Sequence, residues 1–199
     1  MTDLGNPCFT FKFATREEYD DFCWFERFLS SDDVARIIDI AAQTKGERAA
    51  VGGEHAVKES IRTSTVHWIH PNADNVWLFD RIGGLVKGCN DVRYGFDLWA
   101  MTEGLQIAEY GPGDFFEWHK DHAKGDQSTR KLSITIQLSD PSEYDGGDME
   151  FLTGADIRKA PKTLGTAIVF PAFVMHRITA VTRGTRRSLV SWISGPPYR

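Results

Sequence analysis

The sequence predicts an α+β fold, one domain in which an N-terminal half of mixed helices and strands supports a C-terminal β core of the sandwich or barrel kind. Three observations predict it. The 199 residues are enough for one domain with a sizeable core, and at 41% hydrophobic and 26% charged the composition is that of an ordinary globular chain. Before residue 90, apolar residues recur at helical spacing in two places. From Tyr94 onward the pattern changes to short apolar runs separated by turn residues.

In chain order, residues 25–29 form a short apolar run. Ser30-Ser31-Asp32-Asp33 then supplies a hydroxyl to cap a helix and acids for its first turn. Val34, Ile37, Ile38 and Ala41 carry that helix to about Gln43, and residues 46–53 read as a loop. A strand is expected over 63–69, ended by Pro71. Asn72-Ala73-Asp74 opens a second helix with Val76, Phe79, Ile82 and Val86 on its buried side. Further strands are expected over 94–99, 105–110, 131–138, 148–152, 166–170, 173–181 and 187–193. Between them lie the turn segments 111–113, 140–142, 145–147 and 183–185, with Pro171. The division between support and core falls near residue 93, and the core runs to about residue 195.

A net charge of -5 gives no general attraction to a phosphate backbone, and no local basic patch stands out, so no nucleic-acid partner is expected. Glu17, Glu18, Asp20 and Asp21 read as a solvated acidic face. Cys8, Cys23 and Cys89 are odd in number and form no C-x-x-C pair, so they are expected to act as small apolar residues in a reducing compartment. The first residues lack the basic-then-apolar pattern of a secretory leader, and no stretch approaches the roughly 18 apolar residues of a membrane span. A soluble, cytoplasmic protein without a membrane partner is expected.

His119-Lys120-Asp121 is the first candidate site. On a strand, residues two apart share a face, so an imidazole and a carboxylate can reach one ion while Lys120 points away. A second histidine would complete two nitrogens and one oxygen on one side of a divalent metal, leaving positions open on iron. Alone, an H-x-D in a chain with six histidines arises readily by chance. His176 on a later strand, followed ten residues on by Arg186, gives the motif weight. Arg186 and Ser188 share a strand face, and a buried guanidinium beside a hydroxyl seats a carboxylate through its planar fork. A surface patch of Arg183, Arg186 and Arg187 is the competing reading.

Several ordered segments together resemble the Fe(II)/2-oxoglutarate oxygenase superfamily, in particular its prolyl 4-hydroxylase-like branch and the bacterial PKHD-type hydroxylases. They are Ile107-Ala108-Glu109-Tyr110 with Gly111-Pro112-Gly113 and His119-x-Asp121, then Arg130-Lys131-Leu132-Ser133 through Leu138-Ser139 with Gly146-Gly147-Asp148. Gly165 through Pro171, His176, and Val181 through Arg186 close the set, which spans about residues 105–192. The resemblance implies a double-stranded β-helix (jelly roll) core. It implies iron(II) at His119, Asp121 and His176, with Arg186 on the distal carboxylate of 2-oxoglutarate and Ser188 as helper. Tyr110 matches a family tyrosine that hydrogen-bonds this co-substrate, and Gln137 stands where some relatives place another. Trp118 and Trp192 read as core or pocket lining.

The implied chemistry consumes dioxygen and 2-oxoglutarate, with ascorbate as auxiliary reductant, and hydroxylates a C–H bond. Asp121 keeps the carboxylate that related halogenases replace with a small residue. The implied substrate is a prolyl residue in a peptide or protein, with a free amino acid or another small molecule as the alternative. Nucleic-acid demethylases of the superfamily carry R-x-N-x-T-x-R, whereas residues 186–192 lack its asparagine and final arginine. PKHD-type relatives continue past the last strand, whereas this sequence stops at Gly195-Pro196-Pro197-Tyr198-Arg199, so an assembly that depends on such an extension is not expected. Two other classes stay open: a cupin-like metal protein of redox-neutral or hydrolytic chemistry that would not need Arg186, and a non-catalytic binding module without stoichiometric metal.

Overall fold

The computed structural model describes residues 20–49 and 60–198; Cys8, Glu17, Glu18 and residues 50–53 of the expected loop lie outside them. The described chain opens with β1 (Cys23–Phe25) and α1 (Ser31–Ala42). Ser30 caps α1 as expected. Its hydroxyl accepts the Asp33 N–H at 3.1 Å, and the Asp33 carboxylate accepts the Ser30 N–H at 2.9 Å, so two amides at the helix start are satisfied reciprocally. Then come β2 (Glu47–Arg48), β3 (Arg62–Thr63), β4 (Thr65–Ile69) and α2 (Val76–Cys89). The β-rich part follows with β5 (Leu105–Tyr110), β6 (Phe115–His119), β7 (Arg130–Gln137), β8 (Asp145–Gly146) and β9 (Met149–Thr153). It ends with β10 (Asp156–Lys159), β11 (Ala167–Pro171), β12 (His176–Ile178), β13 (Val181–Arg183) and β14 (Arg186–Ser194).

Two antiparallel sheets form the core, ordered β1-β11-β7-β14-β5-β4-β2 and β10-β9-β12-β6-β3, with β13 and β8 as a separate pair. Period-2 alternation divides the larger sheet's side chains cleanly. Leu105, Ile107, Leu132, Ile134, Ile136, Val169, Leu189 and Ile193 join one apolar cluster with Val34, Ile37, Leu78, Ile82 and Val86 of the two helices. Ala108, Tyr110, Ile168 and Phe170 point the other way, into a second cluster with Met149, Phe151 and Ile178 of the smaller sheet. The larger sheet is thus covered on both faces. This explains why β7 is buried at every position and reads as a continuous run in its burial.

Several boundaries depart from expectation for identifiable reasons. The strand expected over 63–69 breaks at Ser64: Arg62 and Thr63 pair with β6 in the smaller sheet, while Thr65 to Ile69 pair with β5 in the larger. Within the expected loop, Glu47 and Arg48 pair with β4. Residues 94–99 form no strand. The α2 helix instead runs on as a π-type turn over Asn90–Tyr94, and Gly95 closes it in the left-handed region at φ 64°. Asn90 fixes that crossing, donating to the Phe96 carbonyl at 2.9 Å and accepting the Phe96 N–H at 3.0 Å. The strand expected over 173–181 shrinks to β12 and the start of β13. Val76 sits 46% exposed on the first turn of α2, and Leu78 takes the buried place assigned to it. β10 was not anticipated because all four of its residues are exposed, leaving no alternation to read. Cys23 and Cys89, distant in sequence, bring their thiols to 3.3 Å in the core. Among the described residues, no helix is long and apolar enough to cross a membrane.

Candidate metal and carboxylate site

Antiparallel pairing of β12 with β6 sets His176 directly opposite His119, and their rings lie 4.1 Å apart between centroids. The chain leaves strand geometry after His119, so Asp121 sits in a bend just beyond β6, not on it. That corrects the strand-parity argument while preserving its outcome. Lys120 is exposed and Asp121 turns inward. The Asp121 carboxylate lies 3.8 Å from His119 Nε2 and 3.6 Å from His176 Nε2, and one donor atom from each of the three falls within 4.8 Å of the others.

Each imidazole is oriented by its own backbone. His119 Nδ1 lies 2.7 Å from the Glu117 carbonyl and His176 Nδ1 lies 3.0 Å from the Val174 carbonyl. Those acceptors place the proton on Nδ1, so both Nε2 lone pairs face the carboxylate. Ser133 of β7 donates to Asp121 Oδ2 at 2.6 Å, and Arg130 reaches the Asp121 carbonyl at 3.3 Å. Burial, then the neighbouring His176, pushes the His119 pKa down to about 3. Burial pushes the Asp121 carboxyl up, but the two imidazoles, Ser133 and Arg130 outweigh it and hold it below its ordinary range. The triad therefore presents two imidazole nitrogens and one carboxylate oxygen, a donor set that fits a divalent transition metal with open positions.

Arg186 is 1% exposed and sits two residues before Ser188, which lines the cleft that holds the triad. Its Nη1 donates to Ser188 Oγ at 3.1 Å and its Nη2 to Gln137 Oε1 at 3.2 Å, while Nε has no partner among the described residues. The guanidinium lies 5.6 Å from the centre of the Tyr110 ring, its register neighbour on β5. The other arginines of the suspected surface patch are elsewhere: Arg183 pairs with Asp145 at 2.6 Å and Arg187 with Glu109 at 2.6 Å. Gly147 makes the space. At φ 59° it occupies the left-handed region, and a Cβ there would stand 2.9 Å from Arg186 Cδ.

Tyr110, Ser188 and Trp192 line the cleft that holds the triad, together with Thr135, Met149 and Ile178; Gln137 instead backs Arg186. Trp118 does not line the cleft and packs under Arg177 at 4.7 Å. Sequence reasoning missed Gln106, Phe116 and Arg62 of the same cleft and Ser133, which holds Asp121. For Ser133 a signal existed, since Ser133, Thr135 and Gln137 alternate with Leu132, Ile134 and Ile136. For Arg62 there was none, because the residues just before it gave no strand pattern to place it on.

Residues 105–194 match the 2OG-Fe(II) oxygenase superfamily. A PKHD-type hydroxylase of Picosynechococcus sp. is 38% identical over 90 residues, covering 45% of this chain and 41% of that protein. One from Prochlorococcus marinus is 33% identical over 98 residues, covering 49% of this chain and 44% of that protein. The matched segment thus spans less than half the length of these curated relatives. The crystal structure of a Pseudomonas putida prolyl-4-hydroxylase superposes with a TM-score of 0.73 at 21% identity, covering 88% of this chain and 93% of that one. A prolyl hydroxylase from Trichoplax adhaerens, in complex with a hypoxia inducible factor oxygen degradation domain peptide, gives 0.74 at 15% identity, covering 87% and 83%. At such identities the likeness establishes the fold, the double-stranded β-helix.

Proposed function

We propose that the chain, whose residues 105–194 match the 2OG-Fe(II) oxygenase superfamily and are similar to PKHD-type hydroxylases, is a 2-oxoglutarate-dependent dioxygenase with iron(II) held by His119, Asp121 and His176. The observation that carries this reading is a convergence: two imidazoles and one carboxylate come together, and a buried guanidinium with only neutral partners among the described residues sits beside two residues of the same cleft, Tyr110 and Ser188. A redox-neutral cupin-like site would use the triad but leave Arg186 unexplained.

Iron(II), 2-oxoglutarate and dioxygen together supply the chemistry when bound, an oxidative decarboxylation to succinate and carbon dioxide coupled to hydroxylation of a substrate C–H. The protein's own contribution is placement. Glu117 and Val174 carbonyls hold the imidazoles in the ligating tautomer, and Ser133 fixes the Asp121 carboxylate. Arg186 offers its fork to the distal carboxylate of 2-oxoglutarate, with Ser188 beside it and Tyr110 on the cleft wall. Gln137 holds the guanidinium from behind. Met149, Ile178, Val190 and Trp192 keep the cleft largely apolar, which limits water near the reacting C–H.

We infer a proline-containing peptide or protein as the substrate, a reading supported by the shared fold with prolyl hydroxylases, one of which holds a peptide. Anaerobic titration with Fe(II) and then 2-oxoglutarate should produce a visible charge-transfer band at one equivalent. Its absence at millimolar co-substrate would refute the assignment. Arg186→Ala should weaken 2-oxoglutarate roughly tenfold or more while iron stoichiometry stays at one, since it removes charge-assisted bonds and no ligand. Succinate release, with ascorbate present, across prolyl peptides and free amino acids then defines the substrate.

A further inference from the structure

Three arginines are buried among the described residues: Arg62, Arg130 and Arg186. Arg130 has an acid, donating to Glu103 at 2.7 Å, and the proposed function gives Arg186 its anion. Arg62 has neither. It is 8% exposed, and every ion pair made by an arginine among the described residues belongs to another side chain.

The partners Arg62 does have are neutral. Nε donates to Ser64 Oγ at 2.8 Å and Nη2 to Gln106 Oε1 at 3.0 Å, while Phe116 lies under the guanidinium at 4.7 Å. Phe116 in turn stacks on His119 at 3.4 Å. Arg62 is therefore one aromatic ring removed from a metal ligand, on the wall of the same cleft. Holding a buried cation with no acidic partner among the described residues costs several kcal/mol, a cost that an anionic ligand would offset.

The register shows where that ligand lies. Along β5, Tyr110 sits opposite Arg186, and Gln106, the anchor of Arg62, sits opposite Val190. Tyr110 and Gln106 are four residues apart on one face, or about 13 Å at roughly 3.3 Å per residue. Arg62 and Gln106 thus line the cleft with the triad, while the other buried guanidinium, Arg186, sits beside Tyr110 at the opposite end of the same strand face. Because the proposed function fills the Arg186 end with 2-oxoglutarate, the Arg62 end faces the molecule to be oxidised.

We propose that Arg62, held by Ser64 and Gln106, seats a carboxylate of the primary substrate, so that the enzyme selects a prolyl compound bearing a negative charge near the ring. This rests on the dioxygenase reading and adds a substrate class to it. The charge is the free carboxylate of proline itself or an acidic side chain next to a prolyl residue.

The test uses the full chain loaded with Mn(II) and 2-oxoglutarate, which blocks turnover and leaves binding to be read by calorimetry. Acid and amide partners are compared: L-proline with L-prolinamide, and acetyl-Pro-Asp-amide with acetyl-Pro-Asn-amide. The wild type should bind at least one acid about tenfold more tightly than its neutral partner, the size expected for one charge-assisted pair. The pair that shows the preference identifies the source of the carboxylate. Arg62→Gln should erase the preference without changing 2-oxoglutarate affinity. Gln106→Glu, which keeps Arg62 and gives it an internal acid, should erase it too. Equal binding of acids and amides, binding of neither, or a preference surviving in Gln106→Glu would overturn the proposal, as would a parallel loss of 2-oxoglutarate affinity in Arg62→Gln. Failure of metal and 2-oxoglutarate to bind the wild type would instead bring down the dioxygenase reading beneath it.

Discussion

The two faces of the larger sheet are made by the same strands, are buried to the same degree, and do opposite work. On β7, Leu132, Ile134 and Ile136 face the helices, whereas Ser133, Thr135 and Gln137 take the opposite side, where Thr135 lines the cleft, Ser133 holds Asp121 and Gln137 holds Arg186, and all six are nearly inaccessible. On β14, Leu189 and Ile193 take the first side, while Arg186 and Ser188 take the second. Burial of the apolar face is favourable in proportion to area and tolerates exchange of one aliphatic for another. Burial of the polar face is costly unless each group finds a partner. Ser133 finds Asp121 and Gln137 finds Arg186, but Arg186 Nε is left over. One face therefore holds the protein together, and the other holds chemistry that the fold stabilises at a cost.

The strongest way to sharpen that contrast is on the cleft side. His119→Ala should take iron stoichiometry from one to zero with only modest change in the unfolding midpoint; retained iron would break the assignment. Adjacent residues on β7 then set face against face. Ile134→Ala should destabilise by about 2–5 kcal/mol in urea unfolding yet leave metal affinity of the folded protein intact. Ser133→Ala should do the reverse, weakening metal binding roughly 10–100-fold because Asp121 loses its orienting donor. If both variants act on stability alone, the division fails.

A pH effect comes next in size. In metal-free protein the folded His119 resists protonation until pH nears 3, while the unfolded chain takes up that proton below about 6.5. Stability should therefore fall as pH drops through that window. The depressed Asp121 acts in the same direction, its contribution being present above the ordinary carboxylate range and lost as pH falls through its lowered folded value. Urea midpoints at pH 7 and pH 5 should differ less in His119→Ala than in the wild type. The smallest effect is expected at Lys120→Ala. The exposed side chain between two ligands should change neither metal affinity nor stability beyond about 0.5 kcal/mol.

Much of this was legible in one dimension because the signals are local. The capping box at Ser30 and Asp33 depends on residues three apart, and β5 coincides with its expected bounds because its turn signals are adjacent to it. The triad and Arg186 were legible for a different reason: residue types with few alternative uses stood in the right order along the chain. The break at Ser64 was not legible, because changing sheets is decided by which strand lies alongside and not by side chains within 63–69. Nor was the loss of the strand over 94–99, where Asn90 and Gly95 extend α2.

The sequence by itself determined the periodicities, the helix start and the candidate donor atoms, since these follow from bonding geometry and side-chain chemistry alone. Only the tertiary structure decided which polar residues share one cavity. It set His176 against His119, turned Asp121 inward past the end of β6, separated Arg186 from Arg183 and Arg187, and brought Arg62 to the wall of the cleft. The reason is physical: long-range pairing between strands fixes these distances, and a lone charged residue looks the same in sequence whether the fold will bury it or leave it in water.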